Sequence, residues 1–129
     1  MTLTDRLKAL IAAEGPLPVS TYMQLCLHDP TFGYYATRPW MGRDVRTGPE
    51  TSQVFGELLG LWAALEWRGM EAPSKFNLVE LGPGRGTLMA DALRATQAVG
   101  GFHAAANIVL VETSPALRQV QTERLAPHR

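Results

Sequence analysis

At 129 residues with 46% hydrophobic side chains, the chain holds enough apolar material for one core and too little length for two full domains. Twelve basic residues balance twelve acidic ones, which argues against nucleic acid or an anionic membrane as partner and leaves a small molecule or a protein. The single cysteine, Cys26, excludes an internal disulfide, and its apolar neighbours Leu25 and Leu27 predict a buried structural thiol.

The first residues set charges against Leu3, Leu7, Leu10 and Ile11 at helical spacing. That is neither a signal nor a transit pattern, and no apolar run reaches the roughly 18 residues of a membrane helix, so the expected location is the cytoplasm. Thr2 is placed to cap a helix whose third position is Asp5, and Gly15-Pro16 closes it, giving a helix over 3–14. Ser20 is expected to cap a second, short helix that stops before Asp29-Pro30. Residues 29–50 carry Pro30, Gly33, Pro39, Gly42, Gly48 and Pro49, the punctuation of a structured loop of the lid or binding type, with a short strand at 34–37.

From Ser52 to Arg68, Val54, Phe55, Leu58, Leu59, Leu61, Trp62 and Leu65 recur at threes and fours and predict an amphipathic helix whose aromatics face the core. Residues 75–81 read as a strand, followed by a glycine loop and a helix over 87–98. Residues 107–112 read as a second strand, after which Ser114 caps a helix with Pro115 at its first position. Strand, glycine loop, helix, strand, helix is the opening of a doubly wound α/β sheet, and the apolar strands imply helices on both faces. Asp91 and Glu123 read as solvated helix faces.

The densest signal is Glu80-Leu81-Gly82-Pro83-Gly84-Arg85-Gly86-Thr87. Alternate glycines let the backbone turn and approach a ligand, and the helix that follows presents free N–H groups to it. A dinucleotide fingerprint would place a third glycine where Thr87 stands, with an acid about twenty residues on, nearer than Glu112. An acid directly before the first glycine repels a pyrophosphate and suits a sulfonium and its ammonium, so S-adenosyl-L-methionine fits the charge pattern better. In that reading Gly82, Gly84 and Gly86 approach the cofactor, Glu80 sets the electrostatics of the loop, and Glu112 accepts hydrogen bonds from the ribose hydroxyls. The competing reading has Glu80 satisfying backbone N–H groups at the loop and Glu112 solvated at a strand end.

Four stretches together resemble the N-terminal part of the MidA-like family of S-adenosylmethionine-dependent methyltransferases. They are His28-Asp29-Pro30 with Gly33-Tyr34-Tyr35; Thr47-Gly48-Pro49-Glu50-Thr51-Ser52-Gln53-Val54-Phe55-Gly56-Glu57; the glycine motif; and Val111-Glu112-Thr113-Ser114-Pro115. Many methyltransferases share the glycine motif, whereas the stretch from Pro49 to Glu57 is particular to this family. The resemblance implies an incomplete Rossmann-like methyltransferase fold, holding the first two strands of the doubly wound sheet after a helical N-terminal segment. Residues 1–74 would be the helical and lid segment and 75–129 the first half of the cofactor domain. It also implies cofactor contacts at Gly82, Gly84, Gly86 and Glu112, and a site wall from Thr47 to Gln53 that includes Pro49 and Glu50. The family's mitochondrial members are complex I assembly factors that dimethylate an arginine, which implies a protein substrate. Where the family has Gly-Asp-Phe, this chain has Arg43-Asp44-Val45, an alteration of the lid.

For an arginine acceptor, carboxylates would hold the planar guanidinium, and Asp44, Glu50 and Glu57 are the local candidates, Glu50 foremost. No metal site and no general base are assigned. Family members run to well over twice this length, so the catalytic half is not among these residues, and self-association through the incomplete sheet is expected. A cofactor-binding or assembly module without turnover is the alternative function, and a nicotinamide-dependent oxidoreductase is disfavoured by Glu80 and Thr87.

Overall fold

The computed structural model describes residues 2–37 and 47–128, which belong to two compact units, Met1–Trp40 and Met41–Arg129. The expectation at Asp44 and its neighbours Arg43 and Val45 lies outside the described residues.

In the first unit, α1 spans Leu3–Glu14, and the capping box forms as the sequence implies. The Asp5 N–H donates to Thr2 Oγ1 at 3.2 Å and the Thr2 N–H donates to Asp5 Oδ2 at 2.9 Å. Helix α2 spans Val19–His28 and begins earlier than Ser20 predicts, because the Pro18 carbonyl already accepts the first helical bond, from the Tyr22 N–H. Ser20 therefore lies inside the first turn and caps nothing. After α2, Asp29 is buried and accepts from the Thr31 and Phe32 N–H groups and from Arg6 of α1. The Thr31 N–H first, then Phe32 and Arg6, hold its carboxyl below the usual carboxylate range. A Cβ at Gly33 would come within 2.5 Å of the Asp29 backbone nitrogen, so the close turn requires glycine there. The strand expected at 34–37 is instead a single helical turn, α3 (Tyr34–Thr37), closed by Thr37 donating through N–H and hydroxyl to the Gly33 carbonyl. Cys26, expected to be buried, is half-buried.

The second unit begins with a helical turn, α4 (Gly48–Thr51), and the long α5 (Gln53–Gly69). Strand β1 (Phe76–Leu81), α6 (Thr87–Ala95), the short α7 (Phe102–Ala105), β2 (Ala106–Val111) and α8 (Pro115–Leu125) follow, with a 3-10 turn at Ala126–His128. The α/β order read from the sequence is therefore present. Strands β1 and β2 pair in parallel, Phe76 opposite Ala106 through Leu81 opposite Val111, and the Gly82 N–H continues the ladder to the Val111 carbonyl at 2.9 Å. Helix α6 is the crossover that a parallel pair needs.

Helix α5 corrects the sequence reading. The side it buries is Gly56, Gly60, Ala64 and Trp67, and the large apolar residues expected in the core are exposed, Trp62 at 59%. The reason is distance of approach. A Cβ on Gly60 would stand 2.6 Å from Ala92 Cα, and one on Gly56 would stand 2.8 Å from Asp91 Cβ, so α5 lies backbone to backbone on α6. Asp91, expected on a solvated face, is buried under that contact beside Arg94. Beyond the glycines, Trp67 joins Phe102 edge to face at 5.5 Å, Phe76 lies tilted against Phe102 at 5.2 Å, and the Trp67 indole donates to the Pro73 carbonyl. Such aromatic pairs contribute about 1 kcal/mol each beyond their buried area. This cluster lies under one face of the sheet, where Phe76 and Leu78 pack on it. The other face departs from the two-sided cover expected: Val79, Leu81 and Val111 are exposed, Leu81 at 75%, and Asn107 donates to Asn77 across the strands.

Candidate functional site

The candidate site is built where β1 and β2 end side by side. A parallel pair brings both C-terminal ends to one edge, so Glu80 with the glycine loop after β1 and Glu112 after β2 become neighbours although far apart in sequence. Gly82, Gly84 and Gly86 all have positive φ, at 63°, 55° and 75°. Gly82 faces open space, since a Cβ there would meet no atom within 4 Å. Gly86 is buried against Gln121 of α8 and opens α6 without a side-chain cap.

Glu80 lies beneath the loop. The Met89 N–H, in the first turn of α6, donates to its carboxylate, while Oε2 is buried with no hydrogen-bond partner. Burial pushes its carboxyl above the ordinary range, and the Met89 bond only partly offsets this. An acid kept in that state gains most when a cation reaches it.

Glu112 is held by both oxygens. The Ser114 N–H donates to Oε1 at 2.9 Å, and Gln121 Nε2 donates to Oε2 at 3.3 Å. Gln121 Nε2 also donates to the Gly84 carbonyl at 2.6 Å, so one buried amide joins the acid to the glycine loop. Ser114 caps α8 through the Leu117 N–H, as its position before Pro115 predicts.

The segment from Thr47 to Gln53 reaches the site through one residue. Glu50 accepts from Arg85, within the glycine loop, and from Thr87 Oγ1 at 2.7 Å, and Arg124 of α8 donates to the same hydroxyl at 2.8 Å. Arg85 above all, then Thr87, lowers the Glu50 carboxyl below its usual range. Thr47 and Pro49 form the start of α4, whose fold delivers Glu50 to the loop. Gln53 turns to Glu57, which is itself paired with Arg94, so neither is joined to this network by a hydrogen bond. Sequence reading missed Arg85, Arg124 and Gln121. Arg85 stood inside the motif and could have been flagged as a cation beside Glu50, whereas Gln121 and Arg124 look like any polar residues of a surface helix.

Among the described residues no cluster of His, Cys, Asp and Glu is arranged to hold a metal, and no helix is long and apolar enough to cross a membrane.

Residues 58–129 match the model of a family described as putative S-adenosyl-L-methionine-dependent methyltransferases. The chain belongs to this methyltransferase family. The mitochondrial protein arginine methyltransferase NDUFAF7 homolog of Drosophila melanogaster is 46% identical over 95% of the chain, and human NDUFAF7 is 42% identical over 92%. The chain spans only 28% of the length of either relative. The crystal structure of a COG1565 superfamily member from Burkholderia thailandensis, bound to S-adenosyl-homocysteine, superposes with a TM-score of 0.71 at 33% identity. It covers 98% of this chain, and the chain covers 33% of it. The chain thus has the expected α/β Rossmann-like fold of this family in incomplete form, two strands preceded by a helical segment. The cytoplasmic expectation is corrected, because these relatives are named as mitochondrial proteins. Addresses are read from short segments that are removed from the mature protein, so the pattern of a folded domain's own helices does not report them.

Proposed function

We propose that this chain is the cofactor-binding part of an S-adenosylmethionine-dependent methyltransferase that acts on protein arginine, with a respiratory complex I subunit as the acceptor that the resemblance implies. The carrying observation is the glycine loop, left-handed at three positions and open above Gly82, flanked by a half-buried acid with one buried, orphaned oxygen and a second acid with fixed orientation. These residues fit the cofactor's chemistry. Gly82, Gly84 and Gly86 admit its backbone-hugging portion, Glu80 suits its cationic amino acid end, and Glu112 keeps lone pairs for both ribose hydroxyls. The bound group supplies an activated methyl on sulfur; the chain's residues hold, orient and desolvate it.

In this reading residues 75–129 bind the cofactor and residues 1–74 are the helical and lid segment, with Thr47, Pro49 and Gln53 in the site wall. The bond from Glu50 to Arg85 and Thr87 supports a tie between wall and loop. The relatives' names support a protein acceptor. The exposed Val79, Leu81 and Val111 support the self-association expected of an incomplete sheet.

A cofactor-binding or assembly module without turnover is favoured by a different fact: Glu50, the foremost candidate to hold an acceptor guanidinium, already holds that of Arg85. Calorimetric titration with S-adenosylmethionine, S-adenosylhomocysteine and NADH tests cofactor choice, and methyl transfer to arginine-bearing protein separates the two readings. Saturable binding of the first two ligands alone is expected, with Glu112→Ala weakening it by about 1–3 kcal/mol. Binding of NADH in their place, or an unchanged affinity in the Glu112 variant, refutes the assignment.

A further inference from the structure

We infer that Gln121 is a positioning residue that gives the site its preference for a ribose over a deoxyribose; this rests on the cofactor reading above. Helix α8 buries a single side chain, and it is this amide, 3% exposed. Arg124 of the same helix is tied to Thr87, and Leu117 and Leu125 are half-buried, but only Gln121 is fully withdrawn from water, and an amide so withdrawn must find partners.

Both partners of the Gln121 nitrogen are acceptors: the Gly84 carbonyl at 2.6 Å and Glu112 Oε2 at 3.3 Å. A carbonyl and a carboxylate offer only lone pairs, so the two hydrogens of the amide face them and the orientation of the side chain is fixed. The Ser114 N–H meanwhile fixes Oε1. The Glu112 carboxylate is therefore oriented from both sides, and each oxygen keeps a lone-pair direction free. A vicinal diol presents two donors side by side, which is the chemistry such a carboxylate reads in bidentate fashion. Because the same amide holds the Gly84 carbonyl, the height of the loop and the aim of the acid are set together. Gly86 belongs to this arrangement, for a Cβ there would stand 3.5 Å from Gln121 Cγ, in contact with the side chain that does the holding.

The distinguishing readout is the ratio of affinities for S-adenosylhomocysteine and its 2′-deoxy counterpart, measured by calorimetry on the protein and its variants. The unsubstituted protein should favour the ribose form by about tenfold, the value of one good hydrogen bond. Gln121→Met, which keeps the length and removes the donors, should bring the ratio to within about twofold of unity while melting cooperatively. Gln121→Lys, which restores N–H donors on a flexible stem, should keep a ratio above about fivefold, and it carries the test if the Met variant does not fold. In Glu112→Ala the Gln121→Met change should no longer alter the ratio.

A Gln121→Met variant that binds both ligands more weakly but with the original ratio would show a merely structural residue and overturn the inference. So would a Gln121→Lys variant whose ratio collapses. Failure of the unsubstituted protein to bind S-adenosylhomocysteine would instead overturn the cofactor reading itself, and this inference with it.

Discussion

Gly60→Ala is the sharpest test of how α5 is held. An added Cβ would stand 2.6 Å from Ala92 Cα, 2.7 Å from the Ala92 carbonyl oxygen and 2.8 Å from Ala92 Cβ. Carbon atoms rest at about 3.5–4.0 Å, so α5 and α6 must separate by roughly 1 Å, and no rotamer change relieves a clash with backbone. Overpacking of this kind costs about 1–3 kcal/mol, and the upper half applies because a 1 Å gap forfeits up to about half of each contact along the shared face. Alanine returns about 1 kcal/mol of helix propensity, leaving a net loss of about 1–2 kcal/mol. Gly69→Ala is the matched control, since a Cβ there meets nothing within 4 Å, and the propensity gain should then appear alone as a slight stabilisation. Urea unfolding followed by far-ultraviolet circular dichroism measures both. A Gly60→Ala midpoint equal to or above that of the unsubstituted protein, at the same slope, would refute the backbone-to-backbone packing.

Two further outcomes concern the site's acids. Burial raises the Glu80 carboxyl above its ordinary value, so between the two values the folded protein holds a proton that the unfolded chain has lost, and stability falls as pH rises through that window. Glu80→Gln should therefore raise the melting temperature at pH 8 by roughly 2–5 °C and give no such gain at pH 4, while weakening S-adenosylmethionine binding several-fold; an unchanged melting temperature at pH 8 would count against a buried carboxylate. Glu50 runs the other way. Its carboxyl is lowered by Arg85 and then Thr87, so its contribution is complete above the ordinary carboxylate value of 4.5 and is lost as pH falls through the lowered value. Glu50→Gln should cost about 1 kcal/mol or less at pH 7, the scale of a partly exposed pair, with the difference closing in acid. A deficit that grows in acid would refute the sign.

Much of the second unit was legible because its rules are local. The strands, the glycine loop and Ser114-Pro115 before α8 each announce themselves within a few residues, as Gly15 after α1 does in the first unit. Helix α5 did not, because the periodicity of large apolar residues outweighed Gly56, Gly60 and Ala64, which repeat every fourth position and mark a face that can come closer than any leucine permits. The turn at 34–37 was misread for a similar reason: β-prone tyrosines argued for a strand, while the Gly33 carbonyl, fixed by the turn around Asp29, was already placed to start a helix. At the site, Glu80 and Glu112 could be named from the chain alone. Gln121 could not, because its meaning arises only when α8 folds back over the loop.

The hydrogen bonds that assemble the second unit share a common span along the chain. Asn77 meets Asn107 across 30 residues, Glu50 meets Arg85 across 35, and Glu57 with Arg94, Gly84 with Gln121 and Thr87 with Arg124 each close 37. None of these is a hairpin that can form early and wait. Each closure carries a similar loop entropy, and each is rewarded only when its neighbours have also closed, so the parallel pair, the glycine loop and the docking of α8 should appear together late in folding. The site therefore has no stable half-built form: the transition that completes the fold also brings the two acids to the loop.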